Sequence, residues 1–264
     1  MKPLVSVIIP TYNEEQDIGN CLASLKSQEY RPLEIIVVDD GSTDRTRQIV
    51  KNFKVKLLTQ SHLGPGLARN LGAKHSKGKI LVFVDSDMTF EKEFLVKLSL
   101  PIRDEKAVGT FSLDEFVANW DNVWSRCWNW NNGNPDRLRV TKRSFNQEDF
   151  RAILASEFTR VGGFDPVGYT DSRTLVKKLG TRPIPAPGAV YYHRNPQNLS
   201  EVFVQSRWIG RRRTRFGLFG QLINLLRYSF PVSLFFGATI ALAKKESRFL
   251  VFKIIYDLGF SAGI

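Results

Sequence analysis

Sulfur and histidine are scarce in this chain, with two Cys, two Met and three His among 264 residues. Cys21 and Cys127 show neither metal-ligand spacing nor a dense disulfide pattern, which excludes a disulfide scaffold and favours a reducing compartment. No period of about 20–50 residues repeats, so a solenoid or propeller is excluded. Two phosphate-binding signatures are missing too: no G-x-G-x-x-G follows the first apolar run, and there is no G-x-x-x-x-G-K-[ST]. The opening "MKPLVSVIIP" is too short an apolar stretch for a signal peptide and is closed by Pro10, so a cytoplasmic catalytic part is expected. In the most apolar region sixteen uncharged residues run from Tyr228 to Ala243, where a spanning helix needs about 20.

Acids are the remaining shortage. Against 38 Lys and Arg there are 26 Asp and Glu, giving a net charge of +12, which favours an anionic partner. Eleven of the Lys and Arg lie between Arg194 and Lys253, where Glu201 and Glu246 are the two acids. Basic charge beside apolar sequence points to an anionic membrane surface rather than a nucleic-acid groove.

What is present begins with a regular alternation. "LVSVIIP", "LEIIVVDD", "VKLLT" and "KILVFVD" read as strands, the last a continuous apolar run buried on both faces. Between them lie Glu14–Gln28, with Ile18, Leu22 and Leu25 at helical spacing, "STDRTRQIVKNF" with Ser42 or Thr43 as cap, and "GPGLARNLGAKH". Strands separated by helices predict a doubly wound, mostly parallel α/β sheet, with ligands bound beyond the carboxyl ends of the strands. Those ends read "PTYNEE", "DDGSTD" and "DSDMT". Acids instead of glycines at such a rim predict a nucleotide whose phosphates are held through a hard divalent ion, which takes one or two carboxylates plus substrate phosphates.

Five segments in order, "VSVIIPTYNEE", "EIIVVDDGSTD", "ARNLGA", "VFVDSD" and "GGFD", resemble the inverting family 2 glycosyltransferases of GT-A fold over roughly residues 3–210. The resemblance implies a nucleotide-diphosphate sugar donor (UDP- or GDP-linked) and Mg²⁺ or Mn²⁺. It implies that Pro10, Thr11, Tyr12 and Glu14 line base and ribose, that Asp40 accepts from the base while Asp39 orients the loop, and that Arg69 faces the phosphates. In the D-x-D signature, with Ser86 between the acids on the donor side, Asp87 ligates the metal and Asp85 contacts ribose or metal through water. His193 in "VYYHRNP" is the further metal candidate, and Asp171 matches the general base. Thr170 stands where relatives carry a glutamate, which leaves the acceptor class open. Val204 replaces the glutamine of the Q-x-x-R-W pattern of polymer-processing relatives, while Arg207 and Trp208 are kept, Arg207 as a diphosphate contact.

Plainer readings stand beside these. Asp85 and Asp87 could make only a turn, as could Asp40 with Gly41; Asp44, and Asp171 before 172–179, could cap helices. Asn13 and Glu14 could merely start a helix, His193 could be a packed core residue, and Arg207 an exposed arginine. His62 and His75 read as surface residues. Trp120, Trp124 and Trp128, four apart, predict a packing stripe on one helix face rather than a sugar platform. The expected organisation is a nucleotide-sugar half (1–100), an acceptor-binding and catalytic half (101–210), and a basic, apolar helical tail (211–264) lying on the membrane. The expected activity is metal-dependent hexosyl transfer to a lipid-linked or membrane-proximal acceptor. Its rivals are a non-catalytic membrane scaffold of the same fold and a soluble oligomeric enzyme with a non-lipid acceptor.

Overall fold

The computed structural model describes residues 1–134, 136–139, 149–165, 171–211 and 217–264, with the backbone alone for 171–173. The chain opens β1 (Val5–Thr11), α1 (Ile18–Lys26), β2 (Leu33–Asp39), α2 (Thr46–Asn52), β3 (Lys56–Thr59), α3 (Pro65–Lys74), β4 (Ile80–Phe83). It continues β5 (Met88–Phe90), α4 (Phe94–Arg103), β6 (Gly109–Phe111), β7 (Glu115–Val117), α5 (Val123–Asn131), β8 (Ala152–Leu154), α6 (Ala155–Arg160). It closes α7 (Asp171–Leu179), β9 (Ile184–Pro185), β10 (Tyr191–His193), α8 (Leu199–Gly210), α9 (Gly217–Arg227), α10 (Phe230–Lys244), α11 (Arg248–Ser261).

Among the described residues one sheet has the order β3-β2-β1-β4-β8-β6-β9 and a second the order β5-β10-β7. The four expected strands pair in parallel, whereas β8 runs antiparallel to both β4 and β6. Every residue of β1 and β4 is buried, as unbroken apolar runs require of strands covered on both faces. Helix α1 seals one face with Ile18, Cys21, Leu22 and Leu25, the spacing of one helical stripe.

Two helix starts differ from expectation. Helix α1 begins at Ile18, because the backbone N–H groups of Glu14 and Glu15 are drawn across to Thr46 Oγ1 (2.8 Å) and Asp44 Oδ2 (3.1 Å). Helix α2 begins at Thr46, not after Ser42 or Thr43. Ser42 Oγ accepts from Asn13 N instead, and Asp44 Oδ1 receives the Thr46 N–H at 2.9 Å.

Grouping by contacts draws other lines than the expected boundaries. Contacts divide the chain into Met1–Phe116 with Val140–His193, and Val117–Arg139 with Arg194–Ile264. In this grouping α5 and α8 share a unit with the expected 211–264 tail. The core of this second unit joins Cys127 and Trp128 of α5, Val202 of α8, and Phe249, Phe252 and Tyr256 of α11. Helices α8 and α11 touch through glycine; a methyl on Gly210 would collide with the Phe260 carbonyl. The tryptophan stripe is shorter than expected. Asn122 caps α5, accepting from Trp124 N and Ser125 N, so Trp120 precedes the helix while Trp128 is buried in it.

Candidate active site

The strand ends place the expected residues on one rim of the first unit. Pro10 and Thr11 end β1, both buried, and the Thr11 hydroxyl is buried with no hydrogen-bond partner. Tyr12 is exposed, and its ring lies 4.1 Å from that of His62. His62 is thus more than a surface residue: Nδ1 is 3.0 Å from Asp40 Oδ2. Asp39 behaves as expected of a loop organiser, accepting the Ser42 N–H and facing Arg47 at 3.6 Å.

Asp40 carries more protein contacts than a base-binding role predicts. It is 3% exposed, and Oδ1 accepts from Gln60 Nε2 (2.7 Å) and Leu63 N (2.8 Å) while Oδ2 accepts from Gly64 N (2.9 Å) and faces His62. A carboxylate offers about four acceptor positions, so Asp40 fixes the loop into α3 and leaves the aromatic pair Tyr12–His62 as the exposed face. Glu14 lies in the loop between β1 and α1, half-buried, its carbonyl accepting from Asp17 N and Ile18 N.

Asp85, Ser86 and Asp87 occupy the turn between β4 and β5, with Ser86 buried. Arg69 on α3 meets Asp85 Oδ1 at 2.8 Å, and Arg151 beside β8 stands 3.9 Å from Oδ2. Burial pushes the Asp85 carboxyl up, but Arg69, Arg151 and His193 outweigh it and hold it below the usual range. A depressed folded-state value adds stability above the ordinary carboxylate range and loses it as pH falls through the lowered value. Asp85→Asn is accordingly expected to remove part of the acid-side loss of stability below about pH 4, read from Tm against pH.

His193 does more than pack. Its Nε2 lies 3.0 Å from Asp87 Oδ2 and its Nδ1 2.9 Å from Glu115 Oε1. The expected three-ligand set is not assembled: among the described residues no group of three His, Cys, Asp or Glu side chains could hold a metal ion. Asp85 is turned to two guanidiniums, which would also repel a cation. The Asp87–His193 pair does fit one. Adjacent ligands on an ion with bonds of about 2.1 Å stand about 3.0 Å apart, and such ions complete their shell with phosphate and water.

Glu115, Arg151 and Asn70 were not foreseen. Asn70 of the "ARN" segment clasps the "GGFD" segment, accepting from Phe164 N (2.9 Å) and donating to Phe164 O (2.8 Å). Gly163, at φ +71°, leaves the space for that amide. Two adjoining signature segments are thereby one structural clasp. Arg151 carries its charge across the Tyr191 ring, 5.2 Å from the centroid, and donates to Phe83 O. Asp171 is the first residue of α7, not a cap before it; its side chain and Thr170 lie outside the described residues. Arg207 is on α8, in the second unit.

The family model described as "Glycosyl transferase family 2" matches residues 6–160. The Uncharacterized glycosyltransferase YibD of Escherichia coli (strain K12) is 33% identical over 143 residues, 52% of this chain and 40% of that protein. The chain thus spans less than half of this curated relative. Staphylococcus aureus TarS, crystallised in complex with UDP-GlcNAc, superposes with TM-score 0.58 at 22% identity, covering 94% of this chain and 74% of that one. The mannosyltransferase PcManGT from Pyrobaculum calidifontis, in complex with GDP-Man and Mn²⁺, gives TM-score 0.61 at 20% identity over 97% and 86%. The GT-A fold, an α/β architecture with a mostly parallel sheet, is therefore shared with these enzymes.

Proposed function

Because the chain belongs to glycosyl transferase family 2, we propose that it is a metal-dependent inverting hexosyltransferase using a nucleotide-diphosphate sugar and a lipid-linked or membrane-proximal acceptor. The observation that carries this reading is Asp87 and His193 in ligand-pair geometry, beside Asp85 with its guanidiniums, where the strands end. A bound Mg²⁺ or Mn²⁺ would neutralise the departing diphosphate, so the leaving side needs no acid. Tyr12 and His62 offer the base a flat face, and Arg69 adds positive charge toward the phosphates. Asp171 takes the acceptor's proton as its oxygen attacks the anomeric carbon with inversion. UDP-GlcNAc in TarS and GDP-Man in the mannosyltransferase are of the donor class proposed. A thermal-shift panel of UDP- and GDP-sugars tests this. The cognate donor at about a hundred times Kd should stabilise by about 2.7 kcal/mol, and less without Mn²⁺. No shift with any of them would overturn the reading.

The membrane part rests on the second unit. Among the described residues no single helix is long and apolar enough to cross a bilayer; α9 and α10, bent by 54°, qualify only together. Leu218 is 85% and Phe235 68% exposed, with Phe219, Leu226, Phe230 and Leu242 also bare. So many bare large apolar side chains on two successive helices are unusual for a soluble monomer. Arg211, Arg227, Lys244 and Lys245 flank it, which suits an anionic bilayer with the catalytic sheet on the cytoplasmic side. Arg212, Arg213 and Arg215, the rest of the basic run, lie outside the described residues. Salt screens charge but not apolar burial. High salt should thus fail to release the protein from anionic liposomes, and detergent should be required in a flotation assay. A chain that ignores liposomes and is oligomeric without detergent would make this face a subunit interface instead.

A further inference from the structure

The two acids of the D-x-D turn are joined by a closed circuit of polar contacts behind the rim. Asp85 Oδ2 faces Arg151 Nη1 (3.9 Å), and Arg151 Nη2 donates to the Tyr191 hydroxyl (3.4 Å). That hydroxyl donates to Glu115 Oε2 (2.9 Å), whose Oε1 meets His193 Nδ1 (2.9 Å), and His193 Nε2 returns to Asp87 Oδ2 (3.0 Å). The small sheet sets this alignment. Antiparallel register pairs His193 with Met88, bringing His193 beside Asp87, while Tyr191 and His193, two apart on β10, share the face that meets Glu115.

Glu115 is 9% exposed and Tyr191 1%, so water competes little for these contacts. Both ring nitrogens of His193 face carboxylates, and a ring that keeps its proton on Nδ1 for Glu115 turns the Nε2 lone pair toward Asp87. Nε2 then confronts another acceptor, Asp87, at 3.0 Å. That contact is satisfied by a proton on Nε2, the ring then lying as an imidazolium between two carboxylates, or by a divalent ion in the proton's place, for which 3.0 Å is the spacing of adjacent ligands.

We infer that Glu115 is a positioning residue, holding His193 through Nδ1 so that Nε2 and Asp87 form a divalent-cation pair; this rests on the metal-dependent reading above. Outer partners of metal-binding histidines set ring orientation and basicity, and their loss typically weakens binding about 10–100-fold. Glu115→Gln removes the charge but keeps an oxygen for Nδ1–H. Tyr191→Phe leaves Glu115 in place without the hydrogen bond from the Tyr191 hydroxyl.

The test is a Mn²⁺ titration of the full chain, with and without UDP or GDP, following the electron paramagnetic resonance signal of free Mn²⁺. Glu115→Gln should bind Mn²⁺ at least about tenfold more weakly than the unaltered chain, and Tyr191→Phe should fall between them. Metal-free nucleotide binding should be unchanged in both. Equal Mn²⁺ affinity in Glu115→Gln and the unaltered chain overturns the inference. So does a loss of metal-free nucleotide binding that parallels the loss of Mn²⁺, because a purely structural role would produce it. Should Glu115→Gln not fold, Tyr191→Phe decides: weaker Mn²⁺ binding supports the inference and unaltered binding overturns it. Failure of the unaltered chain to take up Mn²⁺ under any condition overturns the metal reading itself, and the inference with it.

Discussion

Asp87→Ala is expected to abolish sugar transfer and to erase the part of nucleotide binding that depends on a divalent ion. Of the two D-x-D acids, Asp87 alone faces His193, whereas Asp85 is held by Arg69 and Arg151. The substitution therefore removes a ligand without uncovering paired buried charges. Asp87 is partly exposed at a turn, so unfolding free energy should hold within the range of ordinary surface changes, about 0.5 kcal/mol. Calorimetric titration of the nucleotide with and without Mn²⁺ separates the effects: the metal-free value persists and the metal-dependent gain disappears. Unchanged metal-dependent binding would remove Asp87 from the site.

Asp171→Asn is expected to lower turnover at least roughly a hundredfold while donor affinity is preserved, since asparagine matches the shape but cannot take a proton. The backbone puts Asp171 at the first position of α7, where asparagine is as acceptable as aspartate, so folding should be unaffected. The measurement is kcat and KM for donor with a saturating acceptor. Thr170 stands at the position of the usual glutamate, which sharpens the alternative: near-normal turnover would mean an acceptor ionised before attack, such as a phosphate.

How far these sites could be read from sequence depended on how local their signals were. The four parallel strands announce themselves as unbroken apolar runs, and Asp85 and Asp87 close one of them, so fold and rim were legible. Glu115 and Arg151 were not, because β7 and β8 are three residues long and too short to show a period. Glu115 and His193 are 78 positions apart, and only the closing of the small sheet brings them together. Asp40 illustrates a different limit. Its motif foretold a functional carboxylate, but the donors that occupy it, Gln60, Leu63 and Gly64, come from the loop after β3, which carries no pattern pointing back to β2. The Trp120 misreading was avoidable, for Asn122 ahead of an apolar helix is itself a start signal.

The second unit's two-part core has a consequence for how this protein comes into being. Cys127 and Trp128 are synthesised roughly 120 residues before Phe249, Phe252 and Tyr256, against which they finally rest. While the chain grows, α5 has only α8 to pack on, and the part of its indole and thiol that α11 will cover must be shielded or tolerated until α11 leaves the ribosome. A chain cut before Arg211 would remain in that immature condition permanently, with α8 also stripped of its closest neighbour. It should aggregate rather than survive as a trimmed enzyme, and arrested nascent chains should engage chaperones until α11 is released.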